Sequence, residues 1–203
     1  MVFIDNLAFL LFSVSFAGFI LAYTATSMYL VYRSKKKDYG WHLDAASIPM
    51  LLVGLYLLIS GFVGQWTWPL PGSYNILFFD PIIAFGLVIL VFAVAIRMKL
   101  SLEYAGFFAL LVGIMAIIYG YQAYSIGLTK EPLALLFLYM FYGASGILAY
   151  PAGLIADRLP LSFKPPLLWH ILLALFWLAL LGSSILSGYI GYGALSGHLV
   201  SAP

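Results

Sequence analysis

Six long stretches almost free of charge alternate along the chain with short polar, proline-bearing or basic punctuation. Each stretch is about as long as the roughly 20 apolar residues needed to cross some 30 Å of hydrocarbon as an α-helix. None shows the strict apolar-polar alternation over about ten residues that a transmembrane β-barrel strand requires. The pattern predicts an all-α integral membrane bundle of six transmembrane helices, at about 7–32, 47–66, 81–98, 102–124, 132–150 and 166–189, in a single domain over 1–203. Local signals set several of these limits. Ser47 reads as an N-cap with Pro49 close behind, leaving His42 in the preceding loop, and Asp80 followed by Pro81 reads as an N-cap with proline at the first helical position. Pro151 lacks the N–H that a continuing helix would use, and the pair Pro165 and Pro166 opens the last helix.

Composition removes other classes. A soluble domain carries about a quarter charged residues, whereas this chain has 8% charged, 65% hydrophobic and a mean hydropathy of +1.08. Cysteine is absent, which excludes disulfides, thiolate metal sites and cysteine nucleophiles. Placing the charges then orients the bundle. With the N-terminus outside, the inner loops hold Arg33, Lys35, Lys36, Lys37, Arg97, Lys99, Arg158 and Lys164, and only Lys130 lies outside. That split follows the positive-inside rule and predicts a multi-pass protein of the plasma membrane. The first apolar run follows Asp5 and precedes the basic cluster, the reverse of a cleavable signal, so it reads as a retained anchor. The basic cluster is explained by topology, and no nucleic-acid partner is expected; the lipid bilayer is the first partner.

One packing pattern stands out. Gly106, Ala109, Gly113, Ala116, Gly120 and Ala123 recur at spacings of three and four, which places a small-residue stripe on one helix face. Such a stripe lets a second helix approach closely, either from the same chain or from another copy or subunit. Gly143, Gly146, Ala149 and Gly153 repeat the pattern more briefly in the next helix.

Candidate chemistry is sparse. Asp5, Asp38, Asp44, Asp80, Glu103, Glu131 and Asp157 all fall at predicted helix ends or in loops, where they offer no mid-membrane proton relay. No nucleophile, zinc or phosphate-loop motif is present, and no enzymatic activity is expected. His42 and His170 fall near the inner edge. Two histidines on separate helices can ligate a b-type haem, with Arg97 and Arg158 among the cations placed for its propionates and Asp44 behind His42. Alternatively these histidines satisfy water or a carbonyl at the interface, or meet a quinone or lipid headgroup. The aromatic, proline-rich loop from Gln65 to Asp80 reads as an interfacial connection, a lid or a docking surface.

The segments WPLPGSYNILFFDPIIAFG and YMFYGASGILAYPAG resemble a family of small, mainly archaeal multi-pass membrane proteins classified as a domain of unknown function. The resemblance implies a membrane bundle over most of the chain and transfers no activity or site residue. The residues favour a non-enzymatic subunit or accessory of a larger membrane assembly, with a haem-carrying respiratory assembly as the candidate. The alternative is a channel or carrier for a small neutral solute along a polar path, for which Tyr56 and Ser60 on the second helix are candidates.

Overall fold

The computed structural model describes residues 6–34, 40–158 and 166–200. They form six helices: α1 (Asn6–Arg33), α2 (Gly40–Thr67), α3 (Ser73–Arg97), α4 (Leu102–Ser125), α5 (Pro132–Arg158) and α6 (Leu167–Val200). All six are long and apolar enough to span a membrane, and no strand occurs among the described residues. The basic residues Lys35, Lys36, Lys37 and Lys164, with Asp5 and Asp38, lie outside the described residues.

Four predicted helix ends move outward, and Pro49, Pro81 and Pro151 all stand inside helices. α2 begins at Gly40 and not at Ser47, so His42 sits in its first turn; Ser47 is buried and donates its Oγ–H to the Asp44 carbonyl at 2.6 Å. α3 begins at Ser73, placing Asp80 and Pro81 inside the helix, and α5 passes through Pro151 to Arg158. Proline removes a helical N–H and leaves the carbonyl four residues earlier without its usual donor. In a membrane that carbonyl needs another partner. For Pro81 the orphan is the Leu77 carbonyl, and it accepts a hydrogen bond from the Tyr139 hydroxyl of α5. A side chain from a distant helix thus makes this proline tolerable, which a local capping signal cannot anticipate. The glycine-rich tail continues α6 to Val200, with Gly191 close to the Ala8 carbonyl of α1.

The helices pack in chain order, α1 on α2, α2 on α3, α3 on α4, α4 on α5 and α5 on α6, and α1 against α6 closes the ring. Short connections make neighbours antiparallel. The C-termini of α1, α3 and α5 therefore share one end of the bundle, here termed the basic end, with Arg33, Arg97 and Arg158 at it.

Three seams carry the closest approaches. Along α4–α5, a Cβ added at Gly106 would stand 2.7 Å from the Ala149 carbonyl oxygen, at Gly113 2.7 Å from that of Gly143, and at Gly120 2.3 Å from Tyr139 Cβ. The stripe predicted from α4 is thus filled by α5. All six of its residues are buried, as the packing of a second helix of the same chain requires. A second seam, not anticipated, joins Gly54, Gly61 and Gly64 of α2 to Gly86, Ile83 and Phe79 of α3; a Cβ on Gly86 would meet the Leu58 backbone nitrogen at 2.7 Å. The third joins α1 to α6, where Ser15 donates to the Ser184 carbonyl at 2.7 Å and the Trp177 indole donates to Thr26 Oγ1 at 3.0 Å. At the basic end, Asp157 of α5 caps α4. Its carboxylate accepts from Leu102 N at 3.0 Å, Glu103 N at 3.0 Å and Ser101 Oγ at 2.6 Å, placing negative charge on the helix N-terminus.

Substituting Gly113→Leu should force α4 from α5, because the obstructing atoms are backbone. We expect a loss of about 1–3 kcal/mol, read as a lowered unfolding midpoint in detergent. Gly193→Leu, where a Cβ would meet nothing within 4 Å, should leave the midpoint unchanged.

Candidate functional site

The ring of helices is filled unevenly. Toward the end away from the arginines, Phe79, Leu57, Leu138 and Tyr139 are fully buried and close the interior. Toward the basic end it holds a cavity of about 190 Å³ to which all six helices contribute. Phe85, Val88 and Phe92 of α3, Ala152 of α5 and Leu173 and Phe176 of α6 form much of its wall. Tyr29, Tyr32 and His170 line it near the basic end, and the hydroxyls of its serines and threonine are already engaged. Thr24 donates to the Ile20 carbonyl at 2.7 Å, Ser145 to that of Tyr142 at 2.8 Å and Ser183 to that of Leu180 at 2.9 Å. Each hydroxyl is satisfied by the preceding turn of its own helix, so it presents carbon to the cavity. The cavity ends at Phe85 and Tyr142, whose hydroxyl pairs with Ser187 Oγ at 2.5 Å.

Beyond that floor lies a polar lock spanning three helices. Asp80 stands seven positions into α3, roughly 10 Å along its axis. One carboxylate oxygen accepts from Gln65 Nε2 of α2 and the other from the Tyr119 hydroxyl of α4, each at 2.7 Å. Asn75 extends the chain, donating to Gln65 Oε1 at 3.0 Å and to the Gly64 carbonyl at 3.4 Å, and accepting from Leu70 N at 3.3 Å. The expectation that every acidic residue lies at a helix end or in a loop is therefore corrected for Asp80. It was misread because Asp-Pro is a strong local start signal, while its true partners lie 15 and 39 residues away. The loop between α2 and α3 also shortens, since 73–80 is helical; Tyr74 anchors α3 by donating to the Leu128 carbonyl at 2.7 Å.

The predicted histidines take different positions. His170 lines the cavity near the basic end, edge-on to Tyr29 with ring centroids 6.2 Å apart, its Nδ1 within 3.2 Å of the Pro166 carbonyl oxygen. His42 lies against Trp41, centroids 4.9 Å apart, and does not border the cavity. Their helices, α2 and α6, flank α1 on its two sides. A bis-histidine haem needs both rings to face one iron from opposite sides, and the described geometry gives only His170 a place beside an interior space. These residues do not fit that ligand set. Asp44 is exposed, as are Arg97 and Arg158; the Arg158 guanidinium stands 5.6 Å from the centre of the Trp169 ring. Tyr56 packs edge-on to Phe9, and neither Tyr56 nor Ser60 reaches the cavity.

Against this geometry, the family model described as "Protein of unknown function (DUF981)" matches residues 1–201. The chain belongs to that family. Membership agrees with the resemblance to a family of unknown function and with a polytopic membrane protein, and it brings no activity with it. No curated protein and no solved structure matches the chain.

The lock yields a graded prediction. Asp80→Ala leaves the Gln65 amide and the Tyr119 hydroxyl without their acceptor and should cost about 1–3 kcal/mol. Asp80→Asn retains one acceptor oxygen and should cost less, and Tyr119→Phe least. Unfolding midpoints in a single detergent check the order.

Proposed function

We propose that this protein is a membrane-embedded binding protein or carrier for a lipid-soluble small molecule, which it holds in the central cavity and exchanges at the basic end. The cavity carries the reading: an interior space of about 190 Å³ lined by all six helices, with its serine and threonine hydroxyls turned back onto their own backbones. Ligand sites in bundles form between helices and are mostly apolar, with few polar groups. Such a wall offers a hydrated solute nothing in exchange for its water, which argues against the polar-solute channel. By the positive-inside rule the basic end faces the cytoplasm and the protein sits in the plasma membrane. The role is binding and transfer without covalent chemistry.

Membership of a larger assembly is a weaker reading, because the small-residue stripe that would serve it is occupied by α5.

Ala152 is partly exposed to the cavity, and Ala152→Phe should fill it. Protein purified from its native membrane should carry a co-purifying apolar compound at near-equal mole ratio, seen by extraction and mass spectrometry. The Ala152→Phe variant should lose that compound while melting no lower than wild type. An identical extract from both proteins would sink the proposal.

A further inference from the structure

The cavity's shape and rim name the ligand class more closely, on the premise that the cavity is the binding site. Along α6 its lining runs from His170 to Ser183, roughly 20 Å of helix at 1.5 Å per residue. The cavity is therefore an elongated slot along the bundle axis. Its length suits a single extended chain.

The charge stands at one end of this slot. On α1 the last lining residue is Tyr32, on α3 Ile96 and on α5 Ala156. Arg33, Arg97 and Arg158 follow within two positions on the same three helices. All three are exposed, and none is ion-paired to a carboxylate among the described residues. Of the acids at this end, Asp157 is committed to the α4 N-terminus through Ser101 Oγ and two backbone amides, and Asp44 and Glu103 stand near the starts of α2 and α4. Three arginines thus follow the lining of an apolar slot on three helices, with the Arg158 guanidinium 5.6 Å from the centre of the Trp169 ring, and His170 and Tyr29 line the slot near that end. Topology alone would explain positive charge at this end. It would not require arginine within two positions of the last lining residue on three alternate helices, nor the commitment of Asp157 to the α4 N-terminus.

We propose that the ligand is a single-chain amphiphile with an anionic head, a long-chain carboxylate or a single-chain phosphate monoester. Its tail lies along the slot toward Ser183 and Tyr142, and its head meets Arg33, Arg97 and Arg158 at the basic end. Planar guanidinium groups offer paired donors to carboxylate or phosphate oxygens, and the apolar wall takes the methylenes by close packing, since a tail in lipid is already out of water.

The test compares oleate, oleyl alcohol, 1-oleoyl lysophosphatidate and two-chain phosphatidate at equal mole fraction in the micelle. Binding to the full chain is read by native mass spectrometry at a pH that ionises the carboxylate. Oleate or the lysophosphatidate should bind one per chain and about tenfold tighter than the alcohol, a margin of about 1.4 kcal/mol, with whichever of the two binds tighter identifying the head. The phosphatidate should fail to displace it. In Arg97→Ala/Arg158→Ala the preference over the alcohol should collapse, and Arg97→Lys/Arg158→Lys should restore part of it. Equal binding of oleate and its alcohol, or a preference that survives the alanine pair, would overturn the anionic-head assignment while leaving an apolar ligand in place. Binding that Ala152→Phe leaves unchanged would overturn the cavity reading itself.

Discussion

Close backbone approach is what this bundle depends on. In water a helix docks to bury its apolar face, but in hydrocarbon that face is already solvated by lipid, and helices hold together by van der Waals contact and a few interhelical hydrogen bonds. Contact of that kind falls away steeply with separation. The chain meets the requirement with glycine facing backbone along two seams, Gly106 and Gly113 against α5 and Gly86 against α2. The α1–α6 seam that closes the ring uses serine as well as glycine, with Ser15 bonded to the Ser184 carbonyl. With α4 and α5 drawn together, and α2 and α3 likewise, the interior has to be filled by side chains reaching inward from a ring.

At one end it is filled. Phe79 lies over Gly64, Tyr139 crosses to the carbonyl that Pro81 orphans, and Asp80 gathers donors from two other helices. Each of these devices settles a polar group that would otherwise face hydrocarbon. At the basic end, alanine and glycine replace bulky residues on α5, where Gly146, Ala149, Ala152, Gly153 and Ala156 all border the cavity. The small residues that allow α5 to approach α4 also withdraw volume from the centre of the ring. Packing and cavity are consequences of one sequence choice on one helix.

The sequence made the class, the number of helices and the α4–α5 stripe legible because these follow from length, apolarity and spacing within a single segment. It misplaced the starts of α2 and α3 and the end of α5, where proline and capping signals are read locally but are settled by partners such as Tyr139. The α2–α3 seam could have been found, since Gly54, Gly61 and Gly64 recur at spacings of seven and three. The cavity could not: Phe85, Val88 and Phe92 form a helical stripe indistinguishable in sequence from one facing lipid. His42 and His170 looked alike as interfacial histidines, and only the order of helices around the ring puts His170 beside the interior and His42 away from it.

Closure of the ring by α1 against α6 is the claim on which cavity, lock and rim all rest, and the natural absence of cysteine allows it to be tested directly. A Cβ placed on Gly188 would stand 3.8 Å from that of Ser15, within the usual disulfide span of about 3.5–4.5 Å. The double variant Ser15→Cys/Gly188→Cys, oxidised in native membranes, should form an intramolecular bond at high yield and migrate as a monomer with shifted mobility under non-reducing conditions. Free thiols throughout, or cross-linking only between chains, would show that α1 and α6 do not close the bundle.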